Sequence, residues 1–160
     1  MDRNKFGFTL IELLIFLTII SIFSTVGLAY YNNYNQQVRL RSDVKKLVDV
    51  IDLAKKKAYS SDLYQPCSNF LGYRVIINEF SYLLRFNCGG SYQTVQSYNF
   101  DTNVRAVSGT GNFNFKPLGL GTNLTINSIR LKNSVINQCL NISISSIGII
   151  NVNETLISCP

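Results

Sequence analysis

At 160 residues the chain suits one modest globular domain with an appendage. Charged residues make up only 15% and aromatics 12%, all Phe and Tyr, a profile that excludes a disordered polymer. The formal net charge of +6 permits anionic partners without demanding them, because nearly half of the Lys and Arg fall between Arg39 and Lys57, interleaved with aspartates. There is no histidine, so the commonest general base and metal ligand are both missing; GxSxG, P-loop and paired-carboxylate patterns are missing too. An enzyme is therefore not expected, nor any cofactor or metal site.

The first seven residues, MDRNKFG, are short and net positive through Arg3, Lys5 and the terminal amine against Asp2. Phe8 to Tyr31 then read FTLIELLIFLTIISIFSTVGLAYY, with Glu12 as the single charge. As a helix this run is about 36 Å long, enough for a hydrocarbon core of about 30 Å. The basic end belongs on the cytoplasmic side, with the rest of the chain outside. An ordinary secretory signal peptide cut near Gly27 or Ala29 fits less well, since its apolar region is shorter and carries no carboxylate. Left unneutralised in a bilayer, Glu12 costs on the order of a few kcal/mol.

The apolar run gives way to NNYNQQ, and then Val44, Leu47, Val48, Ile51, Ala54 and Ala58 recur at helical spacing. Arg41, Lys45, Asp49, Asp52 and Lys56 occupy the opposite face, so the helix should continue to about Ser60 with one stripe on a sheet. Lys55-Lys56-Lys57 reads as a solvated helix end, which favours cations at its C-terminus.

Beyond Pro66 the period changes to that of strands. LGYRVIIN and FSYLLRFNC flank Asn78-Glu79 as a hairpin, which places Cys67 nearly opposite Cys88. Four scattered cysteines with no CxxC, behind a membrane segment, read as two disulfides in an oxidising compartment. Three connectivities are open; the hairpin favours Cys67–Cys88, leaving Cys139–Cys159. Further strands are expected near 93–98, 112–116, 123–131, 138–143 and 148–152, separated by the turns SGTG, PLGLG and SIG. The expected fold class is α+β: a long N-terminal helix packed on one antiparallel β head domain.

FGFTLIELLIFLTIISIF resembles the class III leader of bacterial type IV pilins and pseudopilins. The resemblance implies a lollipop-shaped subunit, cut by a prepilin peptidase between Gly7 and Phe8, with Phe8 becoming the methylated first residue. It also implies that Glu12 pairs with the amine of a neighbouring subunit during assembly. Each charge is expensive to bury alone and much less so together. The family's usual proline position holds Ala29 here. FNFKPLGLGTNLTINSIRL and CLNISISSIGIINV are similar to the H-type minor pseudopilins and related minor pilins, which tilts the expectation toward a minor subunit.

The implied layout is a leader at 1–7, a transmembrane and filament-core helix at 8–31, its amphipathic continuation at 32–61 and a head at 62–160. Implied partners are sister pilins, the prepilin peptidase, an inner-membrane assembly platform, and membrane lipid before assembly. The implied location is the cytoplasmic (inner) membrane, head outside, and afterwards an extracellular or periplasmic filament. Some relatives bind DNA during transformation through a basic C-terminal tail; here Gly148-Ile149-Ile150-Asn151-Val152 has no cation. DNA is therefore the less favoured partner, its candidate contacts being Lys55, Lys56, Lys57, Arg105, Lys116, Arg130 and Lys132. Three Asn-x-Ser/Thr stretches, at Asn123, Asn141 and Asn153, are assigned no glycan in so Asn-rich a chain.

Overall fold

The computed structural model of the chain describes residues 9–159, apart from the side chains of residues 24–27 and 29. Two units emerge, one ending at Asn35 and the other running from Gln36 to Pro160. Helix α1 spans Leu10–Tyr59 without a break.

In the first unit α1 exposes its apolar side chains, from Leu10 at 77% to Phe23 at 75%. Thr18 and Ser21 turn their hydroxyls back onto the carbonyls of Ile15 and Leu17, each at 2.8 Å. This back-bonding satisfies the only polar side chains between Leu13 and Phe23 within the helix itself. Among the described residues no helix is long and apolar enough to cross a membrane. The expected span Phe8–Tyr31 includes Phe8, and side chains at 24–27 and 29, that lie outside the described residues.

In the second unit Leu40, Val44, Leu47, Ile51, Ala54 and Ala58 form a buried stripe at steps of three and four. Val48 is only half-buried, while Val50 joins the core. The helix ends in a Schellman arrangement: the amide of Asp62 donates to the carbonyl of Lys57, and that of Ser61 to Ala58. Ser61 takes the left-handed conformation, φ 52°, that glycine usually fills there.

Nine strands follow: β1 Phe70–Ile77, β2 Ser81–Cys88, β3 Ser91–Asn99, β4 Val104–Ser108, β5 Gly111–Phe115, β6 Thr122–Leu124, β7 Ser128–Asn133, β8 Gln138–Ile144 and β9 Ile150–Ser158. They form two antiparallel sheets rather than one, in the orders β3-β2-β1-β5-β6 and β4-β7-β8-β9. The α+β class holds: α1 contributes its stripe, and both sheets contribute alternate residues, to a single core. Tyr73, Val75, Tyr82, Leu84, Phe86, Phe113 and Phe115 come from the first sheet; Val104, Ile129, Leu131, Leu140 and Ile142 come from the second.

Three expectations for the strands need correction. The single strand expected at 123–131 splits into β6 and β7, which lie in different sheets. β4 is additional; it is short, and it pairs with β7, remote in sequence. β9 begins at Ile150, because Gly148 belongs to a turn whose amide donates to the carbonyl of Ser145. The switch between sheets needs a close approach at Gly109, φ 76°, where a Cβ would lie 2.1 Å from the Ser128 carbonyl oxygen.

Disulfides join Cys67 to Cys88 and Cys139 to Cys159, with Cα separations of 6.0 and 5.7 Å. The hairpin register is not the one used to argue the first pairing. Ile77 faces Tyr82, and a bulge after Phe70 sets Cys88 opposite Phe70. Cys67 instead approaches from the segment before β1, held there as the Gly89 amide donates to the Asn69 carbonyl.

Candidate assembly site

The site is the exposed first turns of α1. Thr9 caps the helix: its hydroxyl accepts the amide of Glu12 at 3.3 Å, and its carbonyl accepts that of Leu13 at 3.2 Å. Thr9-x-x-Glu12 is thus a capping-box pattern that sequence reasoning overlooked, and it sets a carboxylate in the first turn, where the helix dipole favours it. Glu12 is exposed amid Leu10, Ile11, Leu13 and Leu14, themselves 53–77% exposed. Chemically this is an anion on a greasy rod, open to a cation brought by another molecule. Gly7 and Phe8, the expected cleavage pair and methylation point, lie outside the described residues.

In the head, α1 is clamped at its entry. Asn133, fully buried, donates to the side-chain oxygen of Gln36 at 3.0 Å, and its own oxygen accepts the amides of Val135 and Ile136. Further along the helix Asp43, 2% exposed, accepts the Asp101 amide at 2.6 Å and pairs with Lys46 at 3.1 Å. Arg39 reaches Asp101 at 2.9 Å. These partners are not legible in the local sequence pattern. The signal available for Asp43 was an acid beside the apolar stripe, one position before Val44. Burial, then the nearby Asp43 charge, pushes the Tyr82 phenol up, and burial with the Asp62 charge pushes Tyr73 up to about 12.

The seven candidate DNA contacts come from α1, β4, β7 and the segment after β5. Lys55 donates to the Gly148 carbonyl at 2.8 Å and lies near the Tyr59 ring. Lys57 pairs with Asp62 at 2.5 Å, Arg105 with Glu79 at 3.1 Å, and Arg130 donates to Asn141 at 2.8 Å. Lys56 and Lys116 are exposed, on α1 and just after β5, while Lys132 is half-buried on β7. Lys55 is thus part of the strap between α1 and the 145–149 turn, to which Thr122 also bonds through the Ser146 carbonyl.

Residues 2–28 match the family model for the prokaryotic N-terminal methylation motif. The match covers the leader and the start of α1, the stretch that holds Gly7, Phe8 and Glu12, and it supports the type IV pilin and pseudopilin family. The match supports reading the N-terminus as the class III leader of a pilin-type precursor, the kind a prepilin peptidase processes. No curated protein and no solved structure shows a significant match to the chain.

Proposed function

We propose that this chain is a structural, non-catalytic subunit, of the minor kind, of a type IV pilus or a type II secretion pseudopilus. Residues 1–7 are the leader, 8–31 the membrane and filament-core helix, 32–61 its continuation and 62–160 the head. The observation that carries the reading is the carboxylate of Glu12, the single charge between Phe8 and Tyr31, exposed beside the exposed apolar side chains of Leu10, Ile11, Leu13 and Leu14. Lipid covers that surface before assembly and sister helices cover it afterwards, with Glu12 meeting the amine of Phe8 on a neighbour. Further partners are the prepilin peptidase and the inner-membrane assembly platform. The match to the methylation motif supports the processing step.

The test is the mass of the mature protein from cells with an active prepilin peptidase. Loss of Met1–Gly7 plus one methyl group on Phe8 is expected. An uncut chain in such cells overturns the reading. DNA uptake draws less support, because the engaged cations Lys55, Lys57, Arg105 and Arg130 already serve internal bonds.

A further inference from the structure

The outer face of the five-stranded sheet carries a row of polar residues, one from each strand. Thr94 pairs with Arg85, Arg85 with Arg74, Arg74 with Asn114, and Asn114 with Asn123. Residues directly opposite in an antiparallel pair share a face, with Cβ atoms about 5 Å apart. Two guanidiniums therefore stand side by side at the centre of the sheet, where like charges destabilise the pairing.

Carboxylates pair with other cations of the second unit, namely Arg39, Lys46, Lys57 and Arg105. Among the described residues none pairs with Arg74 or Arg85. Arg74 is held in place: its Nε donates to Asn114 Oδ1 at 2.6 Å, and its guanidinium lies 3.8 Å from the centre of the Tyr92 ring. Arg85 Nε is buried and has no hydrogen-bond partner. A buried donor left unpaired is destabilising. Asn114, the partner of Arg74, helps line a neighbouring depression of about 360 Å³, half apolar in its lining residues, which also takes in Asn87, Lys116 and Asn123 but neither arginine.

We propose that Arg74 and Arg85 form a binding site for a phosphate-class oxyanion. The anion accepts from terminal guanidinium N–H groups of both arginines, Arg74 Nε being held by Asn114 and Arg85 Nε buried, and it cancels their repulsion. Guanidinium geometry suits a phosphate with paired oxygens, and the ring under Arg74 fixes one fork in advance. The site lies on the head and stands independently of the filament reading. Its phosphate is either the free ion or a unit of a phosphodiester polymer.

The experiment measures the melting temperature of the full chain in detergent micelles, in sodium phosphate and in sodium chloride of matched ionic strength. Phosphate should raise it in a saturable way, because a ligand that binds only the folded state stabilises it. Arg85→Gln should remove the phosphate response while matching or exceeding the wild type in chloride, since the repulsion is gone. Arg85→Lys should weaken apparent affinity about tenfold, keeping charge but losing the fork. Arg41→Gln, an equal charge change on the exposed face of α1, should respond as the wild type. Saturable, Arg85-dependent broadening of the phosphorus resonance provides a second readout should a variant fold poorly. A single-stranded DNA oligomer then separates the sources. Arg85-dependent stabilisation at lower phosphate concentration than the free ion identifies a polymer, and stabilisation by inorganic phosphate alone identifies the ion. Equal phosphate responses in Arg85→Gln and wild type, or no response to either probe beyond that to chloride, overturn the proposal.

Discussion

The two ends of α1 treat the same kinds of residue in opposite ways. Between Leu10 and Phe23, Leu, Ile and Phe side chains are exposed, whereas from Leu40 to Ala58 the apolar stripe is buried. The head stretch has a charged face opposite its stripe and two sheets to pack on; the first stretch is almost wholly apolar, broken by Glu12, Thr18 and Ser21. A helix apolar on all sides needs lipid or other helices as its surroundings. The head buries its own apolar stripe, whereas the N-terminal stretch leaves its apolar side chains exposed. Mutations in the two regions should therefore fail in different assays.

The largest effect should come from the head core. Phe86, fully buried, packs on Phe70 at 5.4 Å and Tyr73 at 5.5 Å between ring centres. Phe86→Ala should cost about 3–5 kcal/mol of head stability in a denaturant titration. A loss below about 1 kcal/mol would show that this core is not the self-sufficient one described. Glu12→Gln should do the reverse. On the proposed pairing of Glu12 with a neighbour's amine, incorporation into filaments should fall about a hundredfold, because removing one partner of a buried pair costs on the order of 3 kcal/mol. The melting temperature of the head should not move. Normal filament yield from the Glu12→Gln variant would break the comparison from the other side.

Alkali sharpens the head's half. Tyr73 is raised from 10.0 to about 12 by burial and then by the Asp62 charge, and its hydroxyl donates to the Asp62 carbonyl at 2.8 Å. A phenol with a raised folded pKa keeps its proton longer in the native state, so its contribution is intact below about pH 10 and is lost as pH climbs toward about 12. The loss should reach about 2–3 kcal/mol at the top of that window. Tyr73→Phe should flatten this alkaline slope, at about 1 kcal/mol cost near neutral pH. An unchanged slope in the variant would assign alkaline unfolding to other groups.

Local periodicity made much of this legible. The stripe on α1, the hairpin of β1 and β2, and β5 and β8 all follow from alternation or helical spacing within a few residues. The leader was legible because Gly7, Phe8 and Glu12 sit at fixed spacing in one stretch. What escaped depends on pairing across distance. β4 is defined by β7, which lies beyond β5 and β6 in the chain, and the 123–131 stretch divides only because β6 serves β5 while β7 serves β4 and β8. Arg74 and Arg85 look like ordinary outward-facing strand residues until the register sets them opposite one another. Thr9 was legible in principle, as the start of a Thr-x-x-Glu pattern, but the apolar residues on either side give it the look of one more membrane position.

A further substitution tests how α1 is tied to the loop between β3 and β4. Asp43 is buried, yet its cationic partner Lys46 is 62% exposed, so the ion pair itself contributes little. The substantive bond is the Asp101 amide on Asp43 Oδ2, which holds the loop between β3 and β4 against the helix. Asp43→Asn retains an oxygen for that amide and loses only the charge assistance, so about 1–2 kcal/mol should go. A second readout isolates the charge. After burial, Asp43 is the next largest cause raising Tyr82, so the variant's Tyr82 should ionise at lower pH than the wild type's while Tyr73 stays put. A lower Tyr82 titration together with a small stability loss means that the carboxylate acts through its field and one bond. A loss above about 3 kcal/mol with both tyrosines shifted would mean that the loop has come away from α1, and that the head depends on this single acid more than its apolar core suggests.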